Sequence, residues 1–505
     1  MRTRYFFYNF ISTALLQIIT MCIGFIVPRV MLIAYGSEIN GLVTSINQFL
    51  GYCNLVEAGL SGAAVYALYK PLADDDYDEI NSILSASKIF YNQTGIIFTI
   101  LVVILSLIYP LIVKTSAFSN MEVSILVLVL GCSGAIDFFS MSKYRVLLTA
   151  AQKVYVLSIA SICYIVLNTI IIVVLSYLKV NIIVLRATAL SSVLLRSFIL
   201  YFYVKSYYKF VNYNVIPNNE ALNKRWDALY LQILGIIHNG TPVVIATIVT
   251  SLKSVSVYSI YNMVFAGLSG ILSIFTSGLS ATFGDVIVKN ELKTLQGAYQ
   301  EFELSYYMII SWAYGCALIL IMPFIKLYTY GIIDADYYIP IVGLLFTING
   351  LLYNLKTPQG MMVISAGMYK ETRVQTTIQG LIAVIASVVF AQIWGISGIL
   401  IGMGLSNLYR DIDLLFFIPR NLTKLSVLSS LHRMIRVFLV VALCYFPFIF
   451  IDLNPINLYN WLIVAIVVGI YCFAITFIMN YLLDKSIFNN ILLRMYNLLK
   501  TKKNK

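Results

Sequence analysis

Charged residues are scarce in this sequence, and their scarcity defines its class. Of its 505 residues, 11% are charged and 60% are hydrophobic, whereas a soluble domain carries about 25% charged residues. Apolar runs of about 20 residues, the length that crosses a bilayer, recur from end to end. The first run has no small-residue cleavage site and leads straight into a second, which predicts a retained helix rather than a signal peptide. The chain is therefore predicted to be a polytopic membrane protein.

The sequence also lacks the motifs of ATP-driven transporters and of most enzymes. It contains no G-x-x-x-x-G-K-[ST] phosphate loop and no H-E-x-x-H zinc motif, and its only histidines are His238 and His432. The seven cysteines lie apart in apolar runs without C-x-x-C spacing, so neither a disulfide framework nor a metal site is predicted. The predicted outer loops are short and hold no paired catalytic carboxylates. We expect no enzymatic activity and no cofactor; a membrane polysaccharide polymerase or ligase is the alternative from the enzyme class.

The apolar runs predict an all-α polytopic fold of about fourteen transmembrane helices, arranged as two pseudo-symmetric six-helix lobes plus a C-terminal helix pair. With the N-terminus in the cytoplasm, most of the 34 lysines and arginines fall on the cytoplasmic side, as the positive-inside rule requires. Both termini are then cytoplasmic. The net charge of +12 accordingly orients the chain toward anionic lipid and does not predict nucleic-acid binding. The predicted segments are an N-terminal lobe at 1–206, a cytoplasmic linker at 207–227, a C-terminal lobe at 228–418, and a helix pair with a basic cytoplasmic tail at 419–505.

The opening stretch predicts a transmembrane hairpin with a charge in each arm. One helix ends near Tyr35, a turn follows at Gly36–Asn40, and a second helix runs to about Tyr69. Arg29 and Glu57 interrupt the two apolar runs. A charge at mid-membrane costs about 3 kcal/mol or more, so it calls for a partner, a wet cavity or a function. On an ideal helix the polar residues of the second arm share one face: Asn47, Asn54, Glu57 and Ser61.

Several further charges lie within predicted helices. Arg186, Arg196 and Lys356 add to Arg29, against the acids Glu57 and Asp137. Pairing of Asp137 with Arg196 or Arg29 is the structural alternative to a functional role, and Arg29 could equally extend to the outer headgroups. Lys356 precedes Pro358, which predicts a broken helix near the membrane centre. The charges within the predicted helices sum to a positive value, which favours an anionic ligand. The paired N–H donors of an arginine match the oxygens of a pyrophosphate.

Polar residues also form stripes on two helices of the second half. Asn262, Ser269 and Thr276 share a face of the predicted eighth helix, and Asn349 aligns with Lys356 on the tenth. Lipid-facing surfaces do not carry such stripes, so these residues face protein or water. They could bond helix to helix or contact a polar ligand. His238 could likewise be a proton site or a buried imidazole with its hydrogen bonds satisfied.

At this point the residues resemble a known family. The pieces are Phe25-Ile-Val-Pro-Arg29, Leu55-Val-Glu57-Ala-Gly59-Leu-Ser-Gly62 and Leu68-Tyr-Lys70-Pro71-Leu-Ala73. They resemble the opening hairpin of Wzx-type flippases of capsule and O-antigen assembly. These flippases form the polysaccharide-transporter branch of the multidrug/oligosaccharidyl-lipid/polysaccharide (MOP) exporter superfamily. The match is strongest in the opening hairpin, and the fourteen-helix plan fits the whole length.

The resemblance implies a transporter in the bacterial cytoplasmic membrane. Its two lobes would enclose a cavity built from helices one, two, seven and eight, which opens to either side in turn. The substrate would be an undecaprenyl-diphosphate-linked oligosaccharide, moved from the inner to the outer leaflet. The membrane potential or an H⁺ or Na⁺ gradient would drive it, with polymerase and chain-length proteins as pathway partners. A multidrug antiporter of the same superfamily is the alternative transporter, and it would need an acidic cavity for cations.

The candidate site residues follow from this resemblance together with the buried charges. Arg29, Arg196 and Lys356 would bind the diphosphate, while Glu57, Asp137 and His238 would set the cavity electrostatics or couple an ion. Sugar contacts would come from the polar stripes: Asn47, Asn54, Ser61, Asn262, Ser269, Thr276 and Asn349. This sequence departs from related lipid-carrier flippases in one respect. They place several cavity arginines in both lobes, whereas Lys356 and His238 are the only basic groups that we predict at depth in the second lobe.

Overall fold

The computed structural model describes residues 2–57, 60–218, 235, 240–276 and 279–503. Every regular element in that part of the chain is helical, in keeping with a hydrocarbon environment in which each backbone group needs an internal partner. The chain divides into two compact units, Met1–Ser259 and Ile260–Lys505.

In its described residues, the first unit contains eight helices and the opening turns of a ninth. They are α1 (Arg2–Cys53), α2 (Leu60–Asp74), α3 (Tyr77–Ile112), α4 (Asn120–Ile136), α5 (Ser142–Ala150), α6 (Val154–Tyr177), α7 (Ile182–Tyr207), α8 (Gly240–Val249) and α9 (Leu252–Thr276). A 3₁₀ turn at Asn54–Glu57 follows α1, and a π-helical turn at Asp137–Met141 joins α4 to α5.

The second unit holds the rest of α9 and eight further helices. They are α10 (Leu279–Val288), α11 (Leu292–Tyr328), α12 (Pro340–Leu355), α13 (Thr357–Ser365), α14 (Arg373–Ile418), α15 (Val427–Tyr445), α16 (Leu458–Leu483) and α17 (Lys485–Lys503). Ten helical stretches of the described residues are long and apolar enough to cross a membrane. The predicted all-α membrane fold is confirmed.

Two of those stretches are helical hairpins rather than single spans. Within α14, Gly395 has φ +56°, a conformation that L side chains rarely adopt. The arms on either side run antiparallel, because the Ser387 hydroxyl donates to the Ile399 carbonyl (3.1 Å) and the Ser406 hydroxyl to the Gln379 carbonyl (2.8 Å). The apolar runs predict two separate helices here, at about 373–394 and 396–418, and the boundary between them falls at this glycine.

The opening stretch is the other hairpin, and it turns at Gly36, with φ +80°. The first arm of α1 runs parallel to α6 over its whole length. The second arm runs against α3: the Tyr109 hydroxyl donates to Ser45 (2.8 Å) and Thr115 to Glu38 (2.6 Å). Helix α4 runs antiparallel to α3 and parallel to α7, and α7 runs antiparallel to α6. Helices α3 and α6 therefore point in the same direction. The two arms of α1 are therefore antiparallel, and the predicted hairpin is confirmed.

Two predicted helices prove to be interrupted. The second was expected to run unbroken over 40–69, but α1 ends at Cys53 and the 3₁₀ turn replaces the regular helix. Asn54 and Glu57 therefore do not continue the helical face of Asn47. The tenth is broken between α12 and α13 at Lys356, as the Lys-Thr-Pro sequence predicts, because proline removes a backbone donor and crowds the preceding turn.

The α14 hairpin depends on glycine where its arms touch. A Cβ added at Gly398 would lie 2.0 Å from the Phe390 carbonyl oxygen, whereas one added at Gly380 meets no atom within 4 Å. We expect Gly398→Ala to destabilise the protein by about 1–3 kcal/mol because the backbones must separate. Gly380→Ala, on the same helix, should leave stability within about 1 kcal/mol of wild type. Thermal unfolding of the two purified variants in detergent measures the difference, and equal midpoints would contradict this account of the turn.

Candidate functional site

A polar cavity of about 170 Å³ lies within the first unit. Its walls come from the π-helical turn, α5, α6 and α7. The lining residues are Asp137, Met141, Ser142, Arg145, Leu157, Ser161, Arg196 and Leu200. Two basic groups, one carboxylate and two hydroxyls thus line one small cavity.

The π-helical turn at Asp137–Met141 shapes one wall of this cavity. The Ser142 backbone N–H bonds back to the Asp137 carbonyl across five residues, so one extra residue is inserted into the helix. Such insertions recur at functional sites because they redirect side chains. Close packing holds the wall in place, since a Cβ at Gly134 would lie 2.7 Å from the Phe98 ring.

Arg196 and Asp137 form an ion pair across the cavity. Arg196 Nη2 donates to Asp137 Oδ1 at 2.8 Å, and its Nε donates to the Met141 sulfur at 3.1 Å. The guanidinium also stacks over the Tyr164 ring, 4.8 Å from its centroid. Of the alternatives left open by the sequence, Asp137 takes Arg196 as its partner. Both side chains are half-buried, so the pair is held in position but stays accessible from the cavity.

Arg145 and Glu57 form a second ion pair next to the first. Glu57 ends the 3₁₀ turn that interrupts the predicted second helix, and Arg145 comes from α5. Sequence reasoning did not identify Arg145 as the partner of Glu57. The missed signal is its spacing of eight from Asp137. Because the π turn adds one residue, a separation of eight residues here corresponds to two turns of a regular helix. It therefore returns to the same helix face.

These two pairs change the expected electrostatics. The sequence predicted a net cationic interior. Around this cavity, the two arginines Arg145 and Arg196 face the two carboxylates Glu57 and Asp137. The formal charge of the four groups is zero. An anionic ligand would therefore have to displace a carboxylate from an arginine, and a cationic ligand would have to displace an arginine from a carboxylate.

Other predicted residues of the first unit have different surroundings. Arg29 is half-buried on the first arm of α1, while Asn47 and Asn54 are exposed. The cavity lining includes none of these three. The Ser61 side chain and the whole of His238 lie outside the described residues.

The predicted polar residues of α9 and α12 divide into exposed and bonded groups. Asn262 is exposed, whereas Ser269 and Thr276 are half-buried, and the Thr276 hydroxyl donates to the Ser273 carbonyl at 3.0 Å. The Asn349 amide donates to the carbonyls of Leu345 (2.9 Å) and Leu400 (2.7 Å). Asn349 thus bonds α12 to α14.

Lys356 occupies the break between α12 and α13. Its ammonium donates to Asn407 Oδ1 at 2.6 Å and lies 4.8 Å from the centre of the Tyr353 ring. One turn after Asn407 on α14 comes Asp411, which is 4% exposed. Sequence reasoning identified Lys356 but missed Asp411, because the predicted helix end nearby made its charge look like that of a connecting loop.

A second group of buried charges joins four helices of the second unit. Glu303 on α11 is fully buried, and its carboxylate accepts bonds from Arg433 (2.7 Å), Tyr299 (2.9 Å) and Gln359 (3.2 Å). Arg433 also donates to Asp484 (2.9 Å). This network connects α11 and α13 to α15 and to the end of α16, the two helices predicted as an appended pair. Sequence reasoning missed Glu303.

Comparison with solved structures identifies the fold. A structure titled "Lipid II flippase MurJ, inward closed conformation" aligns with a TM-score of 0.67 at 15% identity, over 94% of this chain and 98% of that one. An inward-facing multidrug resistance MATE family transporter of the MOP superfamily aligns with a TM-score of 0.66 at 16% identity, over 83% and 95%. A MOP superfamily transporter from Pyrococcus furiosus gives 0.50 at 18%, over 85% and 96%.

These likenesses show that the chain has the fold of MOP-superfamily transporters. No protein-family model and no curated protein sequence matches it.

Proposed function

We propose that this protein is a flippase that moves undecaprenyl-diphosphate-linked oligosaccharides from the inner to the outer leaflet of the bacterial cytoplasmic membrane. The glycans would be repeat units for capsule, O-antigen or exopolysaccharide assembly, and transport would proceed by alternating access. The observation that carries the proposal is the cavity of the first unit, where Arg145 and Arg196 stand beside the hydroxyls of Ser142 and Ser161. Arginine forks suit phosphate oxygens, and hydroxyls suit sugars and phosphate alike.

The ion pairs give this cavity a way to bind and release an anion. A diphosphate that approaches Arg196 competes with Asp137, and one that approaches Arg145 competes with Glu57. Each carboxylate holds its arginine in position while no ligand is bound. It also offsets part of the binding energy, so the diphosphate is held less tightly than by unpaired arginines. Weak enough binding to permit release is a requirement for any carrier.

The other predicted residues keep their proposed roles. Arg29 and Lys356 would contribute to diphosphate binding together with Arg196. The exposed Asn47, Asn54 and Asn262 would meet sugar hydroxyls, as would Ser269 and Thr276. The fold shared with a lipid II flippase supports a lipid-linked substrate. The positive-inside bias supports cytoplasmic termini.

A multidrug antiporter is the second candidate, and one observation favours it. Asp137 lines the cavity, and a carboxylate in a membrane cavity attracts a cation. The fold is also shared with a MATE family transporter. This candidate places the cargo on Asp137 and Glu57 instead of on the arginines.

Gene deletion followed by lipid analysis tests the proposal. In a bacterium that carries the gene, loss of the protein should accumulate complete single repeat units on the lipid carrier in the cytoplasmic leaflet. Surface polysaccharide should fall, and the wild-type gene on a plasmid should restore it. A plasmid that encodes Lys289→Gln, a variant that loses only an exposed ion pair with Asp285, should restore surface polysaccharide to the same level. Normal surface polysaccharide in the deletion strain, together with new sensitivity to cationic dyes, would overturn the flippase proposal in favour of the antiporter.

A further inference from the structure

The Asp411 carboxylate differs from the other deeply buried carboxylate of the second unit. Glu303 accepts hydrogen bonds from three side chains. Asp411 is 4% exposed, yet neither of its carboxylate oxygens accepts a hydrogen bond within the described part of the chain. A buried carboxylate without donors is unfavourable as an anion unless a cation stands near it.

Lys356 is that cation. Asn407 and Asp411 are four residues apart on α14 and so share a helix face. The Lys356 ammonium donates to Asn407 Oδ1 at 2.6 Å, which places it against the face of α14 that carries Asp411 one helical turn further on. The break between α12 and α13 at Lys356 brings this ammonium toward α14.

The other ionisable groups around Asp411 have partners of their own. Arg410 pairs with Asp413 on the same helix. The Tyr307 hydroxyl, from α11, donates to the Leu355 carbonyl at 3.0 Å and accepts from Gln359 at 3.0 Å. From α15, Arg433 pairs with Glu303 and Asp484. Among the described residues, Lys356 is therefore the cation that balances Asp411.

We infer that Lys356 and Asp411 form a charge-exchange pair that couples binding of an anionic phosphate to uptake of one proton. When a phosphate oxygen takes the Lys356 ammonium, the Asp411 carboxylate loses the cation that balances it among the described residues. It then binds a proton from bulk water, which forms one carboxyl O–H bond. Asp411 is then neutral, and the phosphate balances the positive charge that stays on Lys356. The inference rests on the proposed function, because it requires a diphosphate substrate.

Binding of geranylgeranyl diphosphate to the full-length purified protein in detergent tests the inference. A pH-indicator dye in weakly buffered solution should report uptake of about one proton per bound diphosphate by the wild type, since linkage ties proton uptake to the pH slope of affinity. The dissociation constant should then rise up to about tenfold per pH unit. Geranylgeraniol, which lacks the diphosphate, is the matched ligand control. Proton uptake near zero in the wild type would overturn the inference without any variant.

Variants separate this inference from the proposed function. Asp411→Asn should bind the diphosphate but lose the pH slope, and Lys356→Met should weaken binding by about 10-fold or more. Lys289→Gln, which removes an exposed ion pair with Asp285, should keep the wild-type slope. Size-exclusion profiles check that each variant is folded. An unchanged slope in folded Asp411→Asn would overturn the charge-exchange pair while leaving the flippase proposal intact. Failure of the wild type to bind the diphosphate at all would overturn both.

Discussion

Replacing Arg433 by Met is expected to destabilise the protein by about 3–5 kcal/mol. Arg433 is 5% exposed and its partner Glu303 is fully buried. Without the guanidinium, the Glu303 carboxylate keeps bonds from Tyr299 and Gln359 but has no balancing charge, and a buried unpaired ion is among the costliest defects in a protein. Asp484 is less affected, since Arg436 still reaches it at 3.3 Å. Thermal unfolding of the detergent-solubilised variant provides the measurement.

Two further variants isolate the charge effect from lost packing. The double variant Glu303→Gln with Arg433→Met removes both charges and should recover most of the lost stability, because a neutral buried pair carries no ion desolvation penalty. Arg494→Met removes a pair with Glu301 whose arginine is 65% exposed, and it should cost about 1 kcal/mol or less. If the double variant is no more stable than Arg433→Met, the ion pair is not what joins α15 and α16 to α11.

Much of the fold could be predicted because the membrane restricts the choices. Apolar length and charge bias predicted two antiparallel spans on either side of Gly36 and of Gly395, and the turn at Gly36 was itself predicted. The helix ends were less accurate. Helix α3 begins at Tyr77 and α11 at Leu292, each before the start of its apolar run. Both helices extend through polar sequence that hydropathy does not distinguish from a loop.

The candidate site could be predicted only in part, for a related reason. A charge inside an apolar run is conspicuous, and this signal identified Glu57, Asp137, Arg196 and Lys356. Their partners lie in stretches that already carry charge: Arg145 follows Lys143, and Asp411 follows Arg410. Tertiary packing brings these partners into contact with the charges in the apolar runs. Helical periodicity alone does not predict that packing. The interruption at Asn54–Glu57, which presents Glu57 to Arg145, has no signature in hydropathy.

Substitutions at Arg196 and Asp137 should have opposite effects, and the direction distinguishes the two candidate functions. If the cargo is a diphosphate, Arg196→Ala should weaken binding of geranylgeranyl diphosphate by about 10- to 100-fold, the worth of a charge-assisted hydrogen bond. Asp137→Asn should instead strengthen it, because the carboxylate that competes for Arg196 at 2.8 Å is gone. Transport of the lipid-linked repeat should fall in both variants, in the first from poor binding and in the second from slow release.

For a cation antiporter the pattern is reversed. Asp137→Asn should then abolish ethidium binding, and Arg196→Ala should strengthen it by freeing the carboxylate. Both ligands can be titrated into the same purified variants, with Lys289→Gln as an exposed-pair control that should change neither affinity. Since the two pairs around the cavity sum to zero charge, net charge does not determine which ion the cavity prefers. The sign of these two changes does, because it reports which member of the Arg196–Asp137 pair the cargo displaces.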